Sequence, residues 1–290
     1  MADPLPKTAE VEAGESPRPL VGVDGHAHYH RGWPAGAFLD TAATNLAAAC
    51  SAAGGRLAFG ALLLAAPAGD DDHDRLRRAL AAGESRQWRL DPPPEAGSLV
   101  ARRPGWPPLA VVAGRQLRTA EGLEVLALAC PRRLPDGLPL ASACAAARAA
   151  GALVVVPWSL GKWWGRRGRL LAAIVAEAGG DGLLLGDTAL RPRVRGLREP
   201  LFALAASRGV AILPGSDPLP LPSELRRVGG CGFALPAALD PRHPAASLRR
   251  LLAAAGGAPE PIGEHVGIAR ALGLQLALRA TGSAARGAEA

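Results

Sequence analysis

Short apolar runs with strand character alternate with Ala/Leu-rich helical stretches along most of this chain, and this alternation constrains the fold more than any other feature. Runs such as Leu153–Val156 are apolar at every position, which is typical of parallel strands buried on both faces. A repeated strand–helix order predicts an α/β protein built on parallel strands. We therefore expect one α/β domain over residues 20–280, between disordered segments at residues 1–19 and 281–290.

One segment interrupts this alternation. Between Gln87 and Ala129, several strand-like runs are separated by Pro/Gly turns, with no helical stretch between them. Such spacing is typical of antiparallel pairing. We predict a short antiparallel β excursion around residues 87–129.

The charge balance bears on the kind of ligand. The formal net charge is +7, which favours anionic ligands. No basic stripe interleaved with aromatic residues is present, so the sequence predicts a small anionic substrate or ligand and makes nucleic-acid binding unlikely. The sequence does not indicate the oligomeric state.

Cysteine spacing and apolar runs bear on the cell compartment. Cys50, Cys130, Cys144 and Cys231 lie far apart in apolar surroundings, which predicts buried, reduced thiols and no cysteine zinc site. The first 20 residues lack the apolar core of a signal peptide, and no apolar run is long enough to cross a bilayer. We expect a cytoplasmic protein without membrane association.

The densest polar motif directly follows the first predicted strand. Along a strand, alternate residues share a face, so Asp24, His26, His28 and His30 can all point the same way. Two imidazoles spaced by two residues can hold one divalent cation, and a carboxylate can orient a ring. The alternative is a polar cluster at a strand end, satisfied by backbone groups and water.

A second motif, Gly215-Ser216-Asp217, follows the predicted strand Val210–Pro214. A carboxylate after an apolar strand and a glycine turn is well placed to bind a metal or a proton. The alternative is an aspartate that forms a turn or caps a helix.

Two basic segments could supply contacts to an anion. In the first, Lys162 lies beside Trp158 and Arg166 near a predicted helix start, which suits a phosphate or carboxylate. In the second, Asp187 ends a predicted strand and Arg191 follows it. For both segments the alternative is a solvated charged surface.

A run of acids, Gly69-Asp70-Asp71-Asp72-His73-Asp74, opens a predicted helix. Acidic residues are favoured at helix N-termini. We interpret this run as helix capping rather than as a ligand cluster.

Taken together, the motifs resemble the PHP (polymerase and histidinol phosphatase) family. The segment Asp24–His28 resembles that family's opening Asp-x-His-x-His, and Gly215–Asp217 resembles its closing Gly-Ser-Asp-x-His. The resemblance runs over about residues 21–235. It implies a distorted seven-stranded (βα) barrel with up to three metal ions that hydrolyses phosphate esters.

The sequence departs from the family pattern at several ligand positions. No Thr-Asp-His follows the second strand, Val156 stands in place of a histidine, and Leu219 replaces the last histidine. Either Gln116 or Glu124 occupies the position of the central glutamate. Three ligands, His26, His28 and Asp217, remain, and three ligands can hold one cation with an open position.

These observations lead to a first functional hypothesis, a divergent PHP-like phosphoesterase with a single divalent ion, zinc or manganese. Water activated by the metal would attack a small phosphate ester. Asp24 would orient a histidine, and Asp187 would act as an extra ligand or base. Lys162, with Arg166 or Arg191, would neutralise the anionic oxygens.

The missing histidines motivate a second hypothesis. In it, the chain is a catalytically lapsed PHP-like barrel that binds an anionic metabolite or a protein partner. Lys162, Trp158 and Trp163 would form its pocket, and the two histidines would make ordinary hydrogen bonds.

Overall fold

The computed structural model describes residues 17–177, 182–192, 199–255 and 258–287. Most of the predicted N-terminal disordered segment, residues 1–16, lies outside this range, and the first strand begins at Arg18. Of the predicted tail, residues 281–287 continue the last helix and residues 288–290 lie outside the described part.

Strands and helices alternate over most of the described residues, as the sequence predicts. The strands are β1 Arg18–Ala27, β2 Gly55–Leu64, β3 Ala66–Pro67, β4 Arg89–Asp91, β5 Ser98–Arg102, β6 Leu109–Val112, β7 Arg115–Arg118, β8 Glu124–Leu128, β9 Leu153–Pro157, β10 Leu183–Thr188, β11 Ile212–Gly215, β12 Cys231–Leu235 and β13 Glu260–Gly263. The helices are α1 Ala35–Ala52, α2 Asp72–Ala81, α3 Leu140–Ala149, α4 Gly165–Glu177, α5 Pro200–Ser207, α6 Pro244–Ala254 and α7 Ile268–Gly287, with a 3-10 helix at Pro222–Arg227.

The α/β class is confirmed, but the expected single seven-stranded barrel is wrong. The described strands form a seven-stranded sheet in the order β13-β12-β1-β2-β6-β5-β4 and a six-stranded sheet in the order β11-β10-β9-β8-β7-β3. The chain passes from the first sheet to the second twice, from β2 to β3 and from β6 to β7. The apolar pattern marks each strand, but it does not reveal where a hydrogen-bonded ladder ends and another begins.

Both sheets combine parallel and antiparallel pairs. The pairs β1–β2, β9–β10 and β10–β11 are parallel. Within residues 87–129, β4, β5 and β6 pair antiparallel, as do β7 and β8, so the predicted antiparallel excursion is present. The carboxyl ends of β9, β10 and β11 therefore open towards the same edge of the second sheet.

Helix α1 covers one face of the first sheet. Its apolar side chains recur every three to four residues, and Phe38, Leu39 and Leu46 are fully buried. This spacing gives the helix one apolar face, which packs with β1 and β2 residues such as Leu20 and Leu62. The packing holds β1, which carries the histidine motif, in a fixed position.

The two sheets are in direct contact where β1 passes β11. A Cβ atom on Gly25 would lie 2.5 Å from the carbonyl oxygen of Pro214, and one on Gly215 would overlap the backbone of His26. The amide of Asp217 donates to the carbonyl of His26 at 2.8 Å. These glycines therefore let the two strand ends touch, which brings the first and second polar motifs side by side.

None of the helices in the described part of the chain is both long and apolar enough to span a membrane.

Candidate metal centre

His26, His28 and Asp217 converge at the junction of β1 and β11. The Nε2 atoms of the two histidines lie 3.1 Å apart. Each Nε2 atom lies 3.6 Å from Oδ1 of Asp217. Both imidazoles are buried, and the aspartate side chain is 20% exposed. The structure thus brings the three predicted metal ligands together.

The size of this triangle fits a metal ion. The three ligand atoms are separated by 3.1, 3.6 and 3.6 Å. The point equidistant from them in their plane lies about 2.0 Å from each atom. Zinc binds imidazole nitrogen and carboxylate oxygen at about 2.0–2.2 Å. A cation can therefore reach all three atoms without movement of the backbone.

The protonation of the three groups reflects their burial and proximity. Burial lowers the pKa of His26, and this effect prevails. Burial also lowers the pKa of His28, but the Asp217 carboxylate outweighs it, and the pKa is raised. Burial raises the pKa of Asp217, but the two imidazoles bring it down to about 2. Asp217 is therefore an anion at neutral pH, as a metal ligand must be.

Asp217 also has an unusual backbone. Its φ angle is 44°, in the left-handed region, which costs about 1 kcal/mol or more for a residue other than glycine. Aspartate tolerates this region better than most residues. Strained residues of this kind are found preferentially at functional sites.

Asp24 does not touch a histidine ring, contrary to its predicted role. Its buried carboxylate accepts from the amides of His26, Ser216 and Gly229 and from the hydroxyl of Ser216, at 2.5–3.1 Å. Burial raises the pKa of Asp24 to about 6, although these hydrogen bonds lower it. Asp24 therefore fixes the backbone that carries the ligands, because buried amides at a strand end need an acceptor.

Asp187 does not reach the metal centre either. Its two oxygens accept from Nε and Nη2 of Arg191, each at 2.7 Å, and Oδ2 lies 3.1 Å from Nε2 of His265. Both oxygens of Asp187 are thus already paired, and Arg191 lines a different cavity from the one over the metal ligands, together with Trp158 and Trp163. The sequence could not show that a partner, His265, arrives from far along the chain.

A cavity of about 390 Å³ opens over the three ligands. Of the predicted substrate-binding residues, Lys162 and Trp158 line it, whereas Arg166 and Arg191 do not. Nζ of Lys162 lies 2.7 Å from Oε1 of Glu124. The indole of Trp158 donates to Glu199 at 3.3 Å.

Several residues at this site were missed or left undecided by the sequence. Glu124 lines the cavity together with Gln116 and Thr188; the side-chain oxygens of Gln116 and Thr188 are buried, and Thr188 Oγ1 has no hydrogen-bond partner among the described residues. Asp72, assigned only to capping, lies with its Oδ2 3.9 Å from Nδ1 of His28. This separation is too long for a hydrogen bond, so the carboxylate acts on His28 through its charge, which helps to raise the pKa of the imidazole. The acidic run was the available signal, and Asp71 provides the helix cap.

No protein-family model and no curated protein matches the chain. Among solved structures, it is similar to PsfC from Pseudomonas syringae PB-5123, with a TM-score of 0.49 and 18% identity over 90% of this chain and 98% of that one. A similarity at this level assigns neither a family nor an activity.

Proposed function

We propose that this chain is a metal-dependent phosphoesterase with one divalent ion bound by His26, His28 and Asp217. The observation that carries the proposal is the convergence of three ligand atoms around a point about 2.0 Å from each of them. The resemblance of both ligand segments to PHP motifs supports phosphate esters as the substrate class.

The ligand set favours zinc or manganese. Two imidazoles and one carboxylate suit either ion, and three protein ligands leave a position open for water or substrate. When bound, such an ion would lower the pKa of its water, in the case of zinc to about 7, and would so supply a nucleophile near neutral pH.

The surrounding side chains would position the substrate. His30 is held by the Pro218 carbonyl at 2.7 Å and stacks on His28, which restricts the ring of that ligand. Lys162 is held by Glu124, and its ammonium can neutralise a phosphoryl oxygen as charge develops. Ser159 also donates to Glu124, at 3.1 Å, which fixes the carboxylate that holds the lysine.

The charges of the cavity favour the hydrolase over the lapsed anion-binding protein. Among the described lining residues, Lys162 opposes two carboxylates, Glu124 and Asp217, which gives a formal charge of −1. A divalent ion changes this charge to +1. An anionic ligand is therefore attracted more strongly when the ion is present.

Part of the cavity lining is apolar. This part comprises Trp158, Leu160, Leu190, Leu219 and Leu278. Apolar surface of this kind selects an organic group by burial. We infer that the substrate carries a small apolar group beside its phosphate.

The test measures bound metal and the hydrolysis of an aryl phosphate by the full-length protein. We expect about one zinc or manganese ion per chain and hydrolysis that chelator abolishes. The double variant His26→Ala/His28→Ala loses both, because two of three ligands are removed. Protein that holds no divalent ion, or that hydrolyses equally well in chelator, contradicts the proposal.

A matched pair of variants tests the role of Lys162. Lys162→Met should retain metal and lose about 100-fold or more in kcat/KM, as expected for a donor that stabilises developing charge. Arg166→Met removes a positive charge from the same segment but outside the cavity, and it should stay within about threefold of the parent. Equal effects of the two changes would contradict this role.

A further inference from the structure

A second cavity, of about 380 Å³, lies next to the loop that follows β10. Ala189 lines it, whereas its neighbours Thr188 and Leu190 line the cavity over the metal ligands. The two cavities therefore share one wall, and a group in the second cavity is separated from the candidate metal centre by this loop.

Three arginines line the second cavity, Arg226, Arg227 and Arg270. The fully buried Glu224 holds two of them: Oε2 accepts from Arg227 at 3.1 Å and Oε1 from Arg270 at 3.3 Å. One carboxylate neutralises only one of two guanidinium groups. Each guanidinium has five N–H donors, so both keep donors for a ligand.

The turn that carries Arg226 and Arg227 is fixed. Nδ2 of Asn45 donates to the carbonyl oxygens of Arg226 and Val228 at 2.9 and 2.8 Å. A fixed backbone reduces the entropy that a ligand must overcome to order these side chains.

His265 supplies an independent indication of a ligand. Its side chain is only 5% exposed and lines the cavity, and Nε2 lies 3.1 Å from Oδ2 of Asp187. Its Nδ1 is buried and has no hydrogen-bond partner in the described residues. A buried polar atom without a partner costs about 1–3 kcal/mol, which a bound group can recover.

The start of α7 adds a third favourable feature. Gly267, the residue before α7, lines the cavity, and no acidic residue lies in the first turn of the helix. Helix N-termini carry a partial positive charge and free amides, which favour anions.

We propose that this second cavity binds the phosphate group of a phosphorylated ligand. The three arginines face two carboxylates among the described residues, Glu264 in the lining and the buried Glu224, so the formal charge is +1. A phosphate, with about two negative charges and several acceptor oxygens, matches two guanidinium groups and an imidazole better than a carboxylate does.

The test uses inorganic phosphate and the full-length protein in chelator, so that no metal ion competes for the probe. Broadening of the phosphorus resonance on titration gives the dissociation constant. Arg226→Glu should weaken binding at least tenfold. Arg133→Glu makes the same charge change at an exposed position outside the cavity and should stay within about threefold of the parent. Absence of saturable binding, or equal weakening by both changes, overturns the proposal.

A second measurement needs no variant. Phenylglyoxal modifies accessible arginines, and peptide mapping reports each position. Phosphate should slow the modification of Arg226 and Arg270 and leave that of Arg133 unchanged. Equal rates with and without phosphate at Arg226 and Arg270 overturn the proposal.

Discussion

Asp187 and Asp217 stand at the ends of neighbouring parallel strands, β10 and β11, but they have opposite surroundings. Arg191 and His265 occupy both oxygens of Asp187. Asp217 instead faces two imidazole nitrogens at 3.6 Å, at the floor of an open cavity. A carboxylate at a strand end thus becomes a candidate metal ligand only when no neighbouring side chain pairs with it as a permanent cation.

The difference lies in what each carboxylate can still bind. Asp187 forms a bidentate pair with a guanidinium, which is a strong arrangement by itself. Asp217 has a pKa of about 2, which the nearby imidazoles help to lower. Unlike the guanidinium beside Asp187, these imidazoles can release their protons. Binding of a metal in place of those protons satisfies all three groups.

The largest expected effect is on metal affinity. Asp217→Asn should weaken zinc or manganese binding at least about 100-fold, because it removes the anionic ligand. Asp187→Asn, the matched change on the next strand, should alter the affinity less than about threefold. Competition with a chromogenic chelator measures both constants. If the two variants weaken binding equally, the contrast between the two aspartates is wrong.

The second-largest expected effect is on stability. Here Asp187→Asn, and not Asp217→Asn, should be the more damaging change. In metal-free protein, Asp187→Asn should lower the free energy of unfolding by about 3 kcal/mol, since it leaves Arg191 buried without its carboxylate. Asp217→Asn should lower it by less, about 2 kcal/mol, because the imidazoles that face it at 3.6 Å can lose their protons instead of remaining as unpaired charges. Urea unfolding measures both values, and a larger loss for Asp217→Asn would contradict the contrast.

The smallest effect is the pH dependence of that stability difference. Burial raises the pKa of Asp187, but Arg191 and His265 outweigh it and hold the pKa below its usual value. A lowered pKa stabilises the fold above the unfolded value, about 3.9, and this contribution disappears as the pH falls through the folded value. The difference between the parent and Asp187→Asn should therefore persist from pH 7 to 5 and shrink below about pH 4. A difference that grows on acidification would contradict this account.

The fold was predictable where local pattern decides. The apolar runs mark strands such as β9 and β12 because these are buried along their length. Pairing between distant segments was not predictable in this way: Glu260–Gly263 forms β13 and pairs with β12, and α7 begins only at Ile268. Gly263 has a φ of 78° and packs against Gly230, a long-range contact that helical periodicity does not reveal.

The candidate site was predictable in part for a similar reason. The two-residue spacing of His26 and His28 fixes their common face, so their approach to each other follows from strand geometry. The partners of Asp24, and the pairing of Asp187 with the distant His265, follow from tertiary packing instead, and the sequence assigned both aspartates other roles. The sequence also does not determine in which direction a long arginine side chain extends. Arg166 was therefore expected in the cavity, but it does not line it.

The contact between β1 and β11 has a consequence for folding. Asp24 and Ser216, which bond across this contact, are 192 residues apart in the chain. An ion shared by His26 and Asp217 would tie together two such distant segments and would act on the unfolded chain as a cross-link does. Because only the native state assembles these ligands, occupancy would raise the melting temperature in proportion to the logarithm of metal concentration.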